Sequence, residues 1–357
     1  MAVPREVDKN MIVPTTLKET DLVFHDVRRA PFRIYGLHDP QNEPVFKRMP
    51  DEIGMNVNNG VKTLYLQTAG GRVRFSTDSP YVAIKAVMPY VKGMDHMPLS
   101  SIAGFDLYLD TENGSRYLHT YRVPAGAKDG YEGIARFPDK KMRSFTINFP
   151  SYNAVDALYV GLQEGAALGE GRTYRGDLPI VYYGSSITQG GCCSRPGLSY
   201  QNILTRRLGY DYINLGFSGC GRGEESIARY MATLPMKIFV SDYDHNAPNV
   251  EHLRNTHYRL YSIIREANPT VPYIMISRPD CLLQPEKCAE RRDVIYASYR
   301  RALDEGDSNV FFLDGHTFFR GPDEDSCTVD GCHPNDLGFH RMADHIERAL
   351  RWALERC

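Results

Sequence analysis

Ile180-Val181-Tyr182-Tyr183-Gly184-Ser185-Ser186-Ile187-Thr188-Gln189-Gly190 is the stretch whose reading decides the fold. Four apolar residues make a short strand with both faces buried, and the run then breaks into a glycine followed by two serines. Working outward from this one, at 179–183, further buried-strand candidates fall at 210–216, 236–242, 271–277 and 309–314. Helical periodicity fills the intervals at roughly 199–208, 225–234, 249–267, 287–305 and 336–356. Strand–helix alternation of this kind predicts a parallel sheet covered by helices on both faces, an α/β/α flavodoxin-like layer structure. In such sheets the functional site lies beyond the carboxyl ends of the strands. Ser186, Gly219 and Asn246 each follow a predicted strand, and Asp330 and His333 follow the last one.

The first half has a different period. Phe105, Leu107 and Leu109 alternate with other residues, as do Phe145, Ile147 and Phe149, which is the spacing of half-buried strands. Asn113-Gly114 lies between strand candidates 105–110 and 115–123 and predicts a hairpin. Further strands are expected at Phe32–Leu37, Val73–Phe75, Tyr81–Met88, Gly133–Phe137 and Asp156–Leu162. Many short strands without a long amphipathic helix predict a β-sandwich of jelly-roll type. At 357 residues the chain exceeds one ordinary core. The Gly- and charge-rich stretch Gly165–Asp177 then divides it into a sandwich domain, 1–172, which would shape access for substrate, and a catalytic domain, 173–357.

The chemistry is carried by two motifs about 150 residues apart. Ser186 sits on a turn after a buried strand, where its hydroxyl is presented for attack. Asp330-Gly331-Cys332-His333-Pro334 supplies an imidazole to take the serine proton and, three residues earlier, a carboxylate to fix that imidazole's tautomer. Ser186 would form an acyl-enzyme, and His333 would return the proton to the leaving alcohol. His333 must be neutral to act as base, so activity should fall on the acidic side. His316, in Asp314-Gly315-His316, is the rival base. Asn246 could instead cap the helix at 249–267, and Asp330 could brace its loop.

On these blocks the second half resembles the SGNH hydrolases of the GDSL lipase/acylhydrolase superfamily. Gly184-Ser185-Ser186-Ile187-Thr188 matches the nucleophile block, and Asn214-Leu215-Gly216-Phe217-Ser218-Gly219 matches the glycine block. Asp242-Tyr243-Asp244-His245-Asn246-Ala247-Pro248 matches the asparagine block, and Asp330-x-x-His333-Pro334 the last. The resemblance implies an oxyanion hole formed by the backbone N–H groups of Ser186 and Gly219 and the side-chain amide of Asn246. Two departures stand out. The family's Gly-Asp-Ser is Gly-Ser-Ser here, which implies altered support for the turn with catalysis retained, and the residues around Asn246 differ from Gly-x-Asn-Asp.

Composition bounds the rest. A net charge of −2 gives no electrostatic footprint for nucleic acid or an anionic membrane. No run reaches a membrane span, and Met1–Lys9 lacks an apolar leader region, so a cytoplasmic location is expected. All eight cysteines lie beyond residue 191; no Cys-x-x-Cys occurs, and Cys281/Cys288 and Cys327/Cys332 are poorly spaced for zinc. Neither metal nor organic cofactor is expected, and Cys332 reads as a packing residue. Arg195 and His245 could touch substrate, although bracing the loop suits Arg195 and a hydrogen-bonded structural role suits His245. The one tryptophan, Trp352, is expected in the core, and the loop Pro89–Gly104 could overhang a site or be a surface excursion.

A sandwich preceding an SGNH domain resembles carbohydrate esterases, especially those that remove acetyl groups. The absence of a long apolar lid and a mean hydropathy of −0.41 do not favour lipids. The resulting expectation is a serine esterase acting on short acyl, chiefly acetyl, esters of carbohydrates. The alternatives are an acyltransferase using the same three residues and a catalytically silent glycan-binding module. The partner expected is a small-molecule or oligosaccharide ester.

Overall fold

The computed structural model describes residues 15–279 and 281–356, so the opening Met1–Lys9 lies outside the described residues. Compactness divides the chain into two units. The first comprises residues up to Arg48, Leu66–Tyr174 and the tripeptide Arg195–Gly197. The second comprises Met49–Tyr65, Arg175–Ser194 and Leu198–Cys357. The main boundary falls at Tyr174/Arg175, with Met49–Tyr65 and Arg195–Gly197 each counted in the other unit. The short helices α1 (Asp51–Gly54) and α2 (Val61–Leu64) go with the second unit because Asn58 Nδ2 donates to Cys220 O at 2.9 Å.

The first unit is the expected sandwich of two antiparallel sheets. Its strands are β1 (Leu22–Asp26), β2 (Arg33–Tyr35), β3 (Arg72–Thr77), β4 (Tyr81–Val87), β5 (Phe105–Thr111), β6 (Gly114–Tyr121), β7 (Gly130–Arg136), β8 (Arg143–Asn148), β9 (Ala157–Gln163) and β10 (Leu168–Glu170). One sheet runs β1-β9-β4-β7 and the other β10-β3-β8-β5-β6, with β2 on β3. The Asn113-Gly114 hairpin forms as read, with Thr111 opposite Gly114 and Gly114 at φ +111°. Val73, Phe75, Phe105, Leu107, Phe145 and Ile147 are wholly buried, as their alternation predicts. The loop Pro89–Gly104 carries a helical turn, α3 (Leu99–Ile102), and buries Met97 and Ile102.

The second unit is a five-stranded parallel sheet in the order β12-β11-β13-β14-β15. These strands are β11 (Ile180–Gly184), β12 (Tyr212–Gly216), β13 (Ile238–Asp242), β14 (Tyr273–Ile276) and β15 (Val310–Leu313). The helices are α4 (Ser186–Gln189), α5 (Tyr200–Leu208), α6 (Glu225–Ala232), α7 (Val250–Ala267), α8 (Pro285–Asp304) and α9 (Asp336–Leu354). α5 and α9 bury Ile203, Leu204, Phe339, Met342 and Ile346 with Tyr182, Val240 and Ile274 of the sheet. Trp352 is a correction: it is 65% exposed, because α9 buries the stripe 339-342-343-346-350-353 and Trp352 falls outside it. No helix among the described residues is long and apolar enough to cross a membrane.

This strand order places the topological switch point between β11 and β13, where the crossover connections part to opposite faces. The residues that leave those two strands are Ser185-Ser186 and Tyr243–Asn246.

Candidate active site

The turn that carries Ser186 is built by close backbone approach. A Cβ on Gly184 would come within 2.0 Å of Thr188 Oγ1 and 2.2 Å of Asp242 O, and one on Gly216 within 2.2 Å of Gln189 N. Only glycine lets β11, β12 and β13 close around the turn. Ser185 occupies the cap position: its Oγ accepts from Ile187 N at 3.2 Å, and its own N–H donates to Thr188 Oγ1 at 3.2 Å. That reciprocal cap holds the turn at the position of Ser185, immediately before Ser186. Gln201 Nε2 and Asn214 Nδ2 both donate to Thr188 O at 2.7 Å, which fixes the end of the turn from two other elements.

The partner loop is organised by its own short-range bonds. Asp330 Oδ1 accepts from His333 N at 2.7 Å and Cys332 N at 3.0 Å, and Gly331 takes φ +80° to allow the turn. Asp330 Oδ2 lies 2.7 Å from His333 Nδ1, and His333 Nε2 lies 2.9 Å from Ser186 Oγ. Burial works against ionisation of Asp330, but the backbone and ring hydrogen bonds from His333 outweigh it and hold the carboxyl below its ordinary range. A carboxylate there fixes the proton on Nδ1 and leaves Nε2 as acceptor for the serine hydroxyl. The loop is tied down by Asn335, whose Oδ1 caps α9 through Gly338 N at 3.2 Å and whose Nδ2 donates to Ser326 O at 2.7 Å.

Asn246 is tied to the loop after β12, the loop that also carries Gly219. Phe217 N donates to Gly184 O at 2.9 Å, and Asn246 Nδ2 donates to Phe217 O at 2.8 Å. An amide nitrogen has two hydrogens, so this bond orients Asn246 and leaves a second donor. Gly219 has φ +69°, and a Cβ there would meet nothing within 4 Å, so the glycine serves the turn rather than packing. Asn246 does not cap α7; Asn249 does, accepting from His252 N at 2.8 Å.

The remaining residues named from sequence separate. His245 Nδ1 lies 3.7 Å from Cys332 Sγ, which sets it beside the Asp330–His333 loop. Arg195 is committed to the first unit: Nη1 donates to buried Asp106 at 3.1 Å and to the Tyr108 hydroxyl, and the guanidinium lies 4.0 Å from the Tyr117 ring centroid. That is the bracing arrangement. His316 sits in a turn after β15, where its backbone N–H donates to Asp314 Oδ1.

Three residues near the turn and its partner loop were not singled out from sequence. Asp336, in the first turn of α9, accepts from Ser194 N at 2.8 Å and Ser194 Oγ at 2.6 Å, anchoring the segment that follows the Ser186 turn. Asp242 is wholly buried under the turn, its Oδ2 accepting from Thr188 Oγ1 at 3.2 Å and from the Tyr200 hydroxyl at 3.4 Å. Burial pushes its pKa up to about 7 against the pull of His245. Cys192 Sγ lies within 4.8 Å of a His333 ring nitrogen, and burial, then Asp330, pushes that thiol up to about 12, so it stays protonated. The signal for Asp336 was present as an acidic residue at a helix start; nothing local marks Cys192.

Comparison with known proteins agrees with this architecture. The profile of the GDSL-like lipase/acylhydrolase family matches residues 177–351, and a profile for the N-terminus of SGNH-hydrolase-type esterases matches residues 22–168. No curated protein matches the chain. Among solved structures, a GDSL-like lipase of Bacteroides ovatus superimposes with a TM-score of 0.84 at 25% identity, over 94% of this chain and 98% of that one. A salicylyl-acyltransferase from a tetracycline biosynthetic pathway gives a TM-score of 0.76 at 20% identity, covering 95% and 100%. A family two carbohydrate esterase from Cellvibrio japonicus gives 0.63 at 11%, covering 94% and 98%.

Proposed function

The chain belongs to the GDSL-like lipase/acylhydrolase family and is an SGNH-type esterase; from that premise we propose that it removes short acyl groups, acetyl foremost, from carbohydrate esters by way of an acyl-enzyme on Ser186. The observation that carries the reading is the continuous chain from Ser186 Oγ through His333 to Asp330, at 2.9 and 2.7 Å.

The steps follow from those bonds. His333 Nε2 takes the proton as Ser186 Oγ attacks the ester carbonyl, while Asp330 stabilises the imidazolium through Nδ1–H. The oxyanion is met by the N–H groups of Ser186 and Gly219 and by the second amide hydrogen of Asn246. His333 then protonates the leaving alcohol, and water repeats the sequence in reverse to release the acid. The carbohydrate part rests on the fold shared with the family two carbohydrate esterases, one of which was solved with cellohexaose.

The experiment is hydrolysis of 4-nitrophenyl esters from acetate to decanoate, beside Ser186→Ala, with and without an added alcohol acceptor. Turnover confined to short chains and lowered at least about 10⁴-fold in the variant is expected. A preference for long chains would remove the acetyl assignment. Acyl transfer to the alcohol in place of hydrolysis would make the protein a transferase.

A further inference from the structure

The second unit also brings together three soft ligands that ester hydrolysis does not use. Cys281 follows β14, Cys288 lies in the first turn of α8, and His316 lies in the turn after β15. Their sulfurs and a ring nitrogen of His316 all lie within 4.8 Å of one another. The backbone forces this meeting. Gly315 N donates to Ser277 Oγ at 2.9 Å, and a Cβ on Gly315 would come within 1.9 Å of Ser277 O. The exits of β14 and β15 are therefore locked together, which delivers His316 to the segment that carries Cys281.

The chemistry of the cluster is specific. Cys281 and Cys288 are 8% and 1% exposed, and His316 Nε2 is buried with no hydrogen-bond partner among the described residues. A buried imidazole nitrogen without a partner costs free energy unless something else satisfies it. Cys281 Sγ donates to Arg278 O at 3.3 Å, which sets the sulfur beside the β14 exit, and Cys288 stands in the first turn of a 20-residue helix. A cavity of about 280 Å³ adjoins the cluster, walled by Cys281, His316, Leu282 and Phe319.

We propose that Cys281, Cys288 and His316 form a site for a thiophilic divalent metal ion, zinc foremost, with a fourth coordination position open to the adjoining cavity. Two thiolates and one imidazole suit zinc and disfavour the oxygen-seeking calcium and magnesium. Ligand atoms on one tetrahedral zinc are about 3.5–3.8 Å apart, so only a small contraction of the cluster is needed. Binding forms two Zn–S bonds and one Zn–N bond and releases the two thiol protons to solvent, with no change of oxidation state. Spacing along the chain hid the site, because the third ligand comes from a different strand exit.

The test uses the full chain, reduced and treated with chelator, then titrated with Co²⁺ without oxygen. A single equivalent should saturate a thiolate-to-cobalt charge-transfer band and tetrahedral d–d bands, and Zn²⁺ should abolish both. Cys288→Ser and His316→Gln should weaken the titration at least about tenfold, whereas Cys220→Ser should leave it unchanged. Alkylation mapping needs no variant: Zn²⁺ should protect Cys281 and Cys288 and no other thiol. The absence of a charge-transfer band, signals unaltered in both ligand variants, or protection spread over all thiols would overturn the proposal.

Discussion

The two halves of the Ser186–His333 pair are held in place by different means. The Ser186 turn is interior architecture: Gly184, Ser185 and Ser186 are buried, and the contacts that fix them come from β12, β13 and α5. The Asp330–His333 loop is largely self-made. Its bonds run from Asp330 to residues two and three positions on and across the Thr328–Pro334 bridge, and the Asp330 side chain is 36% exposed. Placement of Ser186 is thus a property of the packed sheet, whereas placement of His333 is a property of one turn. Damage to the first should cost folding, and damage to the second should cost chemistry alone.

Asp330→Asn is the strongest way to break this contrast. It removes the carboxylate that supports the imidazolium while leaving an oxygen to accept the two backbone bonds. The expected result is a kcat lower by about 10⁴-fold with little change in thermal midpoint. A large loss of stability would show the loop to be more than local. Gly184→Ala should do the reverse, because its Cβ would clash with the Asp242 carbonyl at 2.2 Å. Urea titration should show a loss of about 3 kcal/mol or more.

Asn246 sharpens the picture, since its amide is tied to Phe217 O and so belongs with the sheet-held side. Asn246→Ala should lower kcat by about 10²–10³-fold with KM little changed, as read by steady-state kinetics. The smallest effect concerns His257, stacked on Tyr243 and wholly neutralised by burial, which pushes its pKa down to about 3. In the unfolded chain this imidazole takes up a proton below its ordinary pKa of 6.5, whereas the folded protein refuses it until about 3. Acidification through that window therefore favours unfolding, by about 2 kcal/mol between pH 7 and 5. His257→Phe should remove that part of the acid sensitivity in urea titrations at the two pH values.

The same contrast explains what the sequence made legible. Buried parallel strands are short apolar runs, so β11 to β15 and the helices between them could be read within a few residues. The Asp330-x-x-His333 turn is local and was legible for that reason. The segment Met49–Tyr65 was not, because its place in the second unit depends on Asn58 meeting a loop more than 160 positions away. Arg195 shows the same limit: a lone arginine in a loop cannot announce that Asp106 will bury its charge. Trp352 failed for another reason. A large aromatic was assigned to the core by type, when its position off the buried stripe of α9 decides exposure.

The role of Ser186 can be tested without any knowledge of the natural substrate. The protein would be treated with a fluorophosphonate that reacts only with activated hydroxyls, and the adduct located by peptide mass mapping. A single adduct on Ser186, formed at least about 10²-fold more slowly in His333→Ala, is expected. An adduct on any other residue, or labelling at an unchanged rate in His333→Ala, would contradict the assignment of Ser186 and His333 as nucleophile and base.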